Sequence, residues 1–258
     1  MMTMASAPRL AAGAGLSHAL AVTGLALAIF ALLVLAAGPI GWRGGLWHYR
    51  IGLLTLMPAA GCLGVGALAL SAAGLLAGLR ARGRRDLTIA LLGMLIGGGV
   101  SYFPWHWSNQ RGAFPQVNDV TTDFTDPPSL AFSEASRKAE EGNSTAYEAY
   151  RFAGVQQRAY PDIVPARLAL PPMSAFDKAV ALVRARGWAI VAVDRSAGVI
   201  DAYDRSFWFG FTDDIAIRVA PDGEGSRVDM RSSARQGRGD FGVNARRVRA
   251  FLGALKSR

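Results

Sequence analysis

Up to Phe103 the apolar positions of this chain run on with few polar breaks. Beyond it the apolar runs are short and broken by charged residues, as in strands and amphipathic helices. The first uncharged run, residues 19–37, is 19 residues long. At a helical rise of about 1.5 Å it spans about 28 Å, close to the roughly 30 Å of a bilayer's hydrocarbon core. Two further uncharged runs cover 51–79 and 87–103. The second is longer than a straight crossing needs, so tilt or a kink is expected, and Pro58 is where a bend fits. Only Arg9 precedes the first run, which leaves a cleaved signal peptide as its alternative reading. The pattern predicts a three-span transmembrane anchor over 1–110 and a soluble domain over 111–258.

Within the second part, residues 111–128 read as an irregular connection marked by Gly112, Pro115, Asn118 and Asp126-Pro127-Pro128. Residues 133–159 are polar, with a loop expected at Glu140-Glu141-Gly142-Asn143-Ser144. A proline-punctuated extended stretch follows through Pro161, Pro165, Pro171 and Pro172. Ser174-Ala175-Phe176-Asp177 reads as a helix N-cap with an acidic residue at N3, ahead of Phe176, Val180 and Val183 at near-helical spacing. Alternating runs at 188–194 and 198–203 flank Arg195-Ser196-Ala197, a hairpin signal. Residues 207–211 are read as another short strand or an extension of the second. A further pair, 214–219 and 227–231, flanks the turn 221–225. A closing helix over about 241–255 places Val248, Phe251, Leu252 and Leu255 on one face and Arg246, Arg249 and Lys256 away from it. The expected fold is α+β: an antiparallel sheet of about four to five strands with helices against one face.

Charge settles orientation more than it settles function. The formal charge is +9, of which 1–110 carries +6 from seven Arg and one Asp, leaving +3 on 111–258. The domain does have a basic end, nine basic and two acidic residues from 227 to 258, but the location expected for it forbids a nucleic-acid reading. Basic residues beside a membrane more often meet anionic lipid heads. Arg80, Arg82, Arg84 and Arg85 crowd the connection between spans two and three, against Arg43 and Arg50 between spans one and two. By the positive-inside rule the four-arginine loop is cytoplasmic. The N-terminus is then cytoplasmic too, and the domain lies across the membrane. Only three of the 28 basic residues are Lys, a bias that fits a GC-rich bacterial genome. The compartment expected is therefore the periplasmic side of a bacterial inner membrane.

Trp42, Trp47, Tyr49, Tyr102, Trp105 and Trp107 cluster at the expected outer boundary as an aromatic belt. Gly74 and Gly78, with Gly93 and Gly97, recur four apart, a spacing that lets helices approach closely. Packing within the chain is the first reading of them and dimerisation the second. The one cysteine, Cys62, falls in a span, so no disulfide staples the domain.

All three histidines sit at membrane boundaries. That removes His-dependent nucleophilic catalysis and His- or Cys-ligated zinc from the domain. His48 and His106 leave an interfacial haem or metal role as an alternative. No Walker loop or Rossmann glycine pattern is present, and no cofactor is expected. Carboxylate chemistry survives through Asp213 and Asp214, with Asp201 and Asp204 in the same strand region, if Asp213 and Asp214 converge in a cleft. The ordinary alternative is that they cap turns or pair with Arg218 or Arg231. The segment from Arg231 to Arg247 holds Ser232, Arg235, Gly237, Asp240, Gly242 and Asn244. Glycines, a helix start and forked arginines together suit an anion such as phosphate or carboxylate. The alternative is that Asp240 caps the helix and the arginines pair with Asp201, Asp213 or Asp119.

Several of these residues together carry a family resemblance. Asn118-Asp119-Val120-Thr121-Thr122-Asp123, Tyr160-Pro161-Asp162, Asp213-Asp214 with Arg218, and the stretch 231–249 resemble the domain of unknown function 1499 family, over roughly 117–255. Ala234 departs from the serine more usual before the second arginine. The resemblance implies a bacterial envelope protein and supplies candidate residues, but no reaction. The leading expectation is a non-enzymatic module that binds an envelope protein or an anionic ligand near the bilayer, with no nucleic-acid partner. A carboxylate-dependent enzyme acting on envelope material is the alternative.

Overall fold

The computed structural model describes residues 7–81, 84–110 and 112–257. Arg82, Arg111 and the side chain of Arg9 lie outside the described residues. The chain divides into two compact units, Met1–Gln110 and Arg111–Arg258.

The first unit is helical: α1 (Ala7–Arg43), a short α2 (Tyr49–Ile51), a π-helical turn Gly52–Leu56, α3 (Met57–Ala81) and α4 (Arg84–Gln110). Three stretches, Gly15–Arg43, Tyr49–Arg80 and Arg84–Gln110, are long and apolar enough to cross a membrane. The first and third outrun the uncharged runs because the helices continue through Pro39 and Pro104. The irregularity expected at Pro58 lies just ahead of it. Proline has no N–H to give the carbonyl four residues back, and the preceding turn widens, with the Met57 N–H donating to the Gly52 carbonyl. The recurring glycines pack within the unit. A Cβ on Gly97 would stand 2.9 Å from the Gly64 carbonyl oxygen, one on Gly74 2.7 Å from the Ala21 nitrogen, and one on Gly93 3.1 Å from the Leu25 nitrogen. Asp86, the single acid of residues 1–110, accepts from Ser17 Oγ at 2.8 Å and lies 2.9 Å from His18 Nδ1, which ties α4 to α1.

The second unit is α+β. In chain order it comprises β1 (Asp119–Thr121), a 3₁₀ turn Ala131–Ser133, α5 (Glu134–Ala139), α6 (Ala149–Ala159), β2 (Ala166–Leu168) and α7 (Pro172–Ala185). These are followed by β3 (Ala189–Asp194), β4 (Val199–Arg205), β5 (Thr212–Asp222), β6 (Gly225–Ala234) and α8 (Val243–Lys256). The six strands form one antiparallel sheet of order β1-β6-β5-β4-β3, with β2 also on β6. The α+β class and antiparallel sheet agree with the sequence pattern. Two three-residue strands, β1 and β2, are additional to it.

Alternation along the strands separates the two faces. Ile200, Ala202, Ile215, Ile217, Val219, Val228 and Met230 point one way and are buried against Phe176, Ala179 and Val183 of α7 and Val248, Phe251, Leu252 and Leu255 of α8. The other face is charged and carries the candidate site. At the sheet margin the amide of Gln156, from α6, pairs with the Thr121 backbone: its Nε2 donates to the carbonyl at 2.7 Å and its Oε1 accepts from the N–H at 3.1 Å.

Three local expectations are corrected. Residues 134–139 and 149–159 are helices rather than extended chain; α5, at six residues, is too short to show an apolar period. α7 starts at Pro172, not after Ser174, because a proline at the first helical position has no N–H to leave unsatisfied. Residues 207–211 form a tight loop instead of a strand. It is closed by the Ser206 N–H on the Phe211 carbonyl and the Phe211 N–H on Ser206 Oγ, both at 2.9 Å, with Gly210 at φ +69°.

Candidate functional site

Asp213 and Asp214 are neighbours on β5, and a strand turns consecutive side chains to opposite faces. They therefore do not converge, and each is committed to arginine. Asp214 is wholly buried between two guanidinium groups. Arg137 Nε donates at 2.8 Å to Oδ2, and Arg235 donates from Nη2 at 2.8 Å to Oδ1 and from Nε at 3.0 Å to Oδ2. Arg137, which the sequence pattern missed, also donates from Nη2 to the Ser233 carbonyl at 3.0 Å and from Nη1 to the carbonyls of Asn143 and Ser144. Burial pushes its guanidinium below the ordinary value, and Asp214 opposes that shift. Arg235 reaches Glu140 Oε1 at 2.6 Å, and Gln236 donates to the other oxygen of Glu140 at 2.8 Å.

Along the same face the forked pair Arg231–Asp119 is nearly buried, Nε to Oδ1 at 2.9 Å and Nη2 to Oδ2 at 2.7 Å. The Tyr147 ring lies 5.3 Å from the Arg231 guanidinium carbon, and burial pushes the Tyr147 phenol up. Further along, Arg227 and Arg218 meet Asp123, Asp126 and Asp229, while Thr122 Oγ1 donates to Asp229 at 2.9 Å. Thr121 Oγ1 donates to the Asp123 carbonyl at 3.1 Å. The Asp123 carboxyl sits below its usual range: burial opposes the shift, but the N–H groups of Asp126 and Thr125 and the two arginines outweigh it. On this face Arg137, Arg218, Arg227, Arg231 and Arg235 each lie within ion-pair distance of a carboxylate. The pairing expected between Asp213 or Asp214 and Arg218 or Arg231 is replaced by these partners.

The other nominated residues gather at one end of the apolar face. Arg247 Nη2 reaches Asp204 at 2.9 Å and Asp213 at 2.8 Å, and its Nη1 donates to Asn244 Oδ1 at 2.6 Å and Ser232 Oγ at 3.1 Å. Ser232 Oγ donates to Asn244 Oδ1 at 2.5 Å. One guanidinium serves two carboxylates here. Burial lifts the Asp213 carboxyl to about 6, Arg247 pulls it back, and Asp240 and Asp204 add to the rise. Asp201, on the charged face, is lifted to about 6 by burial, and its Oδ1 has no hydrogen-bond partner among the described residues.

Asp240 occupies the start of α8. Its carboxylate accepts from the N–H groups of Gly242 at 2.8 Å and Asn244 at 2.6 Å. Burial raises its pKa against those bonds. Gly242, at φ +72°, holds the left-handed turn into the helix. The Gly237 carbonyl accepts from Asn118 Nδ2 at 2.7 Å and Asn143 Nδ2 at 2.9 Å. The donors expected to cradle an anion are thus engaged by the domain's own acceptors. Asn118, Asp119 and Ser233 line a shallow polar cleft with Asn143, Glu148 and Arg151, and the buried Asn118 Oδ1 has no hydrogen-bond partner among the described residues. Tyr160-Pro161-Asp162 forms the turn after α6, where Asp162 pairs with Arg249, whose guanidinium carbon lies 5.7 Å from the Tyr160 ring centroid.

In the first unit, His48 Nδ1 accepts from the Arg50 N–H at 3.2 Å as a helix cap, and its ring lies 4.2 Å from that of Tyr49. His106 stacks on Tyr102 at 5.5 Å. Among the described residues no three His, Cys, Asp or Glu side chains come together as a metal-binding group.

These elements define an α+β domain with a self-neutralised charged face, joined to three helices long and apolar enough to cross a membrane. Residues 119–255 match the family model described as "Protein of unknown function (DUF1499)". The match covers more than half of the chain, and the protein belongs to that family. No curated protein and no solved structure matches it.

Proposed function

We propose that this is a non-enzymatic envelope protein: a domain tethered on the periplasmic side of a bacterial inner membrane that acts by offering a rigid surface to a protein partner. The observation that supports this reading most is the closure of the charged network. Arg137, Arg231, Arg235 and Arg247 are each spent on internal carboxylates at 2.6–3.1 Å. A small anion would have to displace a buried carboxylate from its arginine, and breaking such a pair costs on the order of 3–5 kcal/mol. The carboxylate-enzyme reading loses its motive once Asp213 and Asp214 face opposite ways. What remains is a stiff, cross-braced body.

Two experiments in cells test the reading. Alkaline phosphatase fused after residue 258 of the full chain is expected to be active, and activity confined to a cytosolic reporter at the same point refutes the compartment. A photo-crosslinking side chain placed in turn at Tyr150, Met173, Val191 and Glu224 is expected to yield one discrete adduct from a subset of positions. Absence of any protein adduct, with turnover of envelope material by the purified full chain that Asp213→Asn abolishes, overturns the binding reading in favour of an enzyme.

A further inference from the structure

Three connections leave the sheet of the second unit at the same end. The register sets Arg205 of β4 opposite Thr212 of β5, Asp213 opposite Ala234 of β6, and Ser233 opposite Asp119 of β1. The β4–β5 loop, the β6–α8 connection and the segment that enters the domain before β1 therefore share one pole. Side chains bind them together. Arg247 of α8 joins Asp204 and Asp213 at the base of the β4–β5 loop. Phe114 of the entering segment lies 6.4 Å, ring to ring, from Phe241, and the Arg246 guanidinium carbon is 5.7 Å from the Phe114 ring. Only residues 111–113 separate Phe114 from Gln110, where the last apolar helix ends. The pole at which the chain enters the domain is thus the pole with the β4–β5 loop.

That loop reads Ser206-Phe207-Trp208-Phe209-Gly210-Phe211. Phe209 is buried and stacks on Phe211 at 5.1 Å. This stacking, with the two closing hydrogen bonds of the loop, holds the tip in one shape. The tip then carries Phe207, 92% exposed, and Trp208, 39% exposed. Exposed arginines Arg205, Arg238 and Arg246 belong to the strand end, the β6–α8 connection and the first turns of α8. The acids of the same pole are engaged, Asp204 and Asp213 by Arg247 and Asp240 by backbone N–H groups. An indole with its N–H settles at headgroup depth, a phenyl ring adds apolar area buried just below it, and arginines favour the anionic lipids there.

We propose that this aromatic pole docks on the lipid headgroup layer, with Phe207 and Trp208 set into the interface of the same bilayer that holds the three helices. The second contact with lipid, added to the covalent tether, fixes how the domain stands on the membrane. It holds whether or not a protein partner exists, so its failure is distinct from failure of the reading above.

The test uses the full chain in vesicles of phosphatidylethanolamine and phosphatidylglycerol. Cys62, the single cysteine, is changed to Ala, and a nitroxide label is placed at Phe207→Cys, at Trp208→Cys or at Glu224→Cys. Glu224 lies on the β5–β6 turn, at the opposite end of the sheet. Labels at 207 and 208 are expected to collide with dissolved oxygen more than with a water-soluble nickel chelate, at a ratio several-fold above that at 224. Equal ratios at the two ends overturn the proposal. A label at 207 shielded from both reagents also overturns it, because the tip is then covered by protein.

Discussion

Asp214 shows how much one residue of this domain carries. It is a fully buried carboxylate held by two arginines, and Arg137 comes from a six-residue helix with little else to fix it. Arg137→Met is expected to leave Asp214 half-compensated and to unpair Ser133 Oγ and the carbonyls of Asn143, Ser144 and Ser233, at a cost of about 3–5 kcal/mol. That is a fall of roughly 10 °C or more in the melting of a domain this size, read by calorimetry on the detergent-solubilised full chain. Arg137→Lys, a point charge without the fork, is not expected to restore it. Unchanged melting in Arg137→Met would remove the network as the brace of the charged face. Asp213, although paired with Arg247, gives a pH signature opposite in sense to that of an acid whose pKa its partner lowers, because burial outweighs the pairing. Its folded carboxyl titrates near 6, against 3.8 for the ordinary group, so between those values the folded state keeps a proton that the unfolded chain has lost. Its contribution is most favourable below about pH 4 and declines until about pH 6. The total is up to about 3 kcal/mol at about 1.4 kcal/mol per pH unit. Denaturant midpoints measured at pH 4 and pH 7 should therefore converge in Asp213→Asn relative to the parent chain. An identical difference in both proteins would place the titration elsewhere. Neither role was visible residue by residue in the sequence. The two-residue period of β5 does state that Asp213 and Asp214 part company, but their partners come from segments up to 77 residues away.

Elements differ in how openly the sequence declares them. The β3–β4 and β5–β6 hairpins and α8 announce themselves because alternation or a 3.6-residue stripe separates apolar from polar positions, and turn residues mark where each hairpin reverses. α5 and α6 do not. α5 contributes Arg137 rather than an apolar stripe, and α6 buries Phe152 and Gln156, the latter to complete a strand edge. A polar side chain buried for its hydrogen bonds is indistinguishable in sequence from one that faces water. The aromatic run 207–211 misleads in the opposite direction, since β-favouring residues occur there in a loop closed by Ser206. In the helical unit the spacing of glycines was readable, but not which helix each one met. The packing gives a clean comparison. A Cβ on Gly97 would press on the Gly64 carbonyl at 2.9 Å, whereas one on Gly98 meets nothing within 4 Å. Gly97→Leu is expected to part α3 from α4 and to lower the temperature at which the detergent-solubilised chain aggregates. Gly98→Leu, equally bulky and one residue on, should leave it near the parent value. Equal effects would show that helix propensity or lipid contact, not the close approach, governs the loss.

For the whole molecule the decisive asymmetry is electrostatic. Residues 1–110 hold seven arginines, and four of them, Arg80, Arg82, Arg84 and Arg85, cluster where the second apolar stretch gives way to the third. Arg43 and Arg50 alone mark the other connection. On the topology proposed above, such a cluster stays on the cytoplasmic side and so sets the face of the bilayer on which α4 ends and the covalently attached domain folds. Asp86 stands beside the cluster but is held by Ser17 and His18, and acids weigh little in this rule. The prediction is an inversion by charge transfer. If Arg80, Arg82, Arg84 and Arg85 are replaced by Gln and four arginines are inserted between Trp42 and Tyr49, the short first connection becomes the cytoplasmic one. Alkaline phosphatase fused after residue 258 should then lose activity while a cytosolic reporter at the same place gains it. The inverted domain should still fold, because it has no disulfide to form: Cys62 lies in α3 and is the single cysteine of the chain. Reporter activity unmoved by the swap would mean that the first helix, rather than the arginine loop, sets the orientation. The compartment would then have to be inferred from whatever flanks that helix.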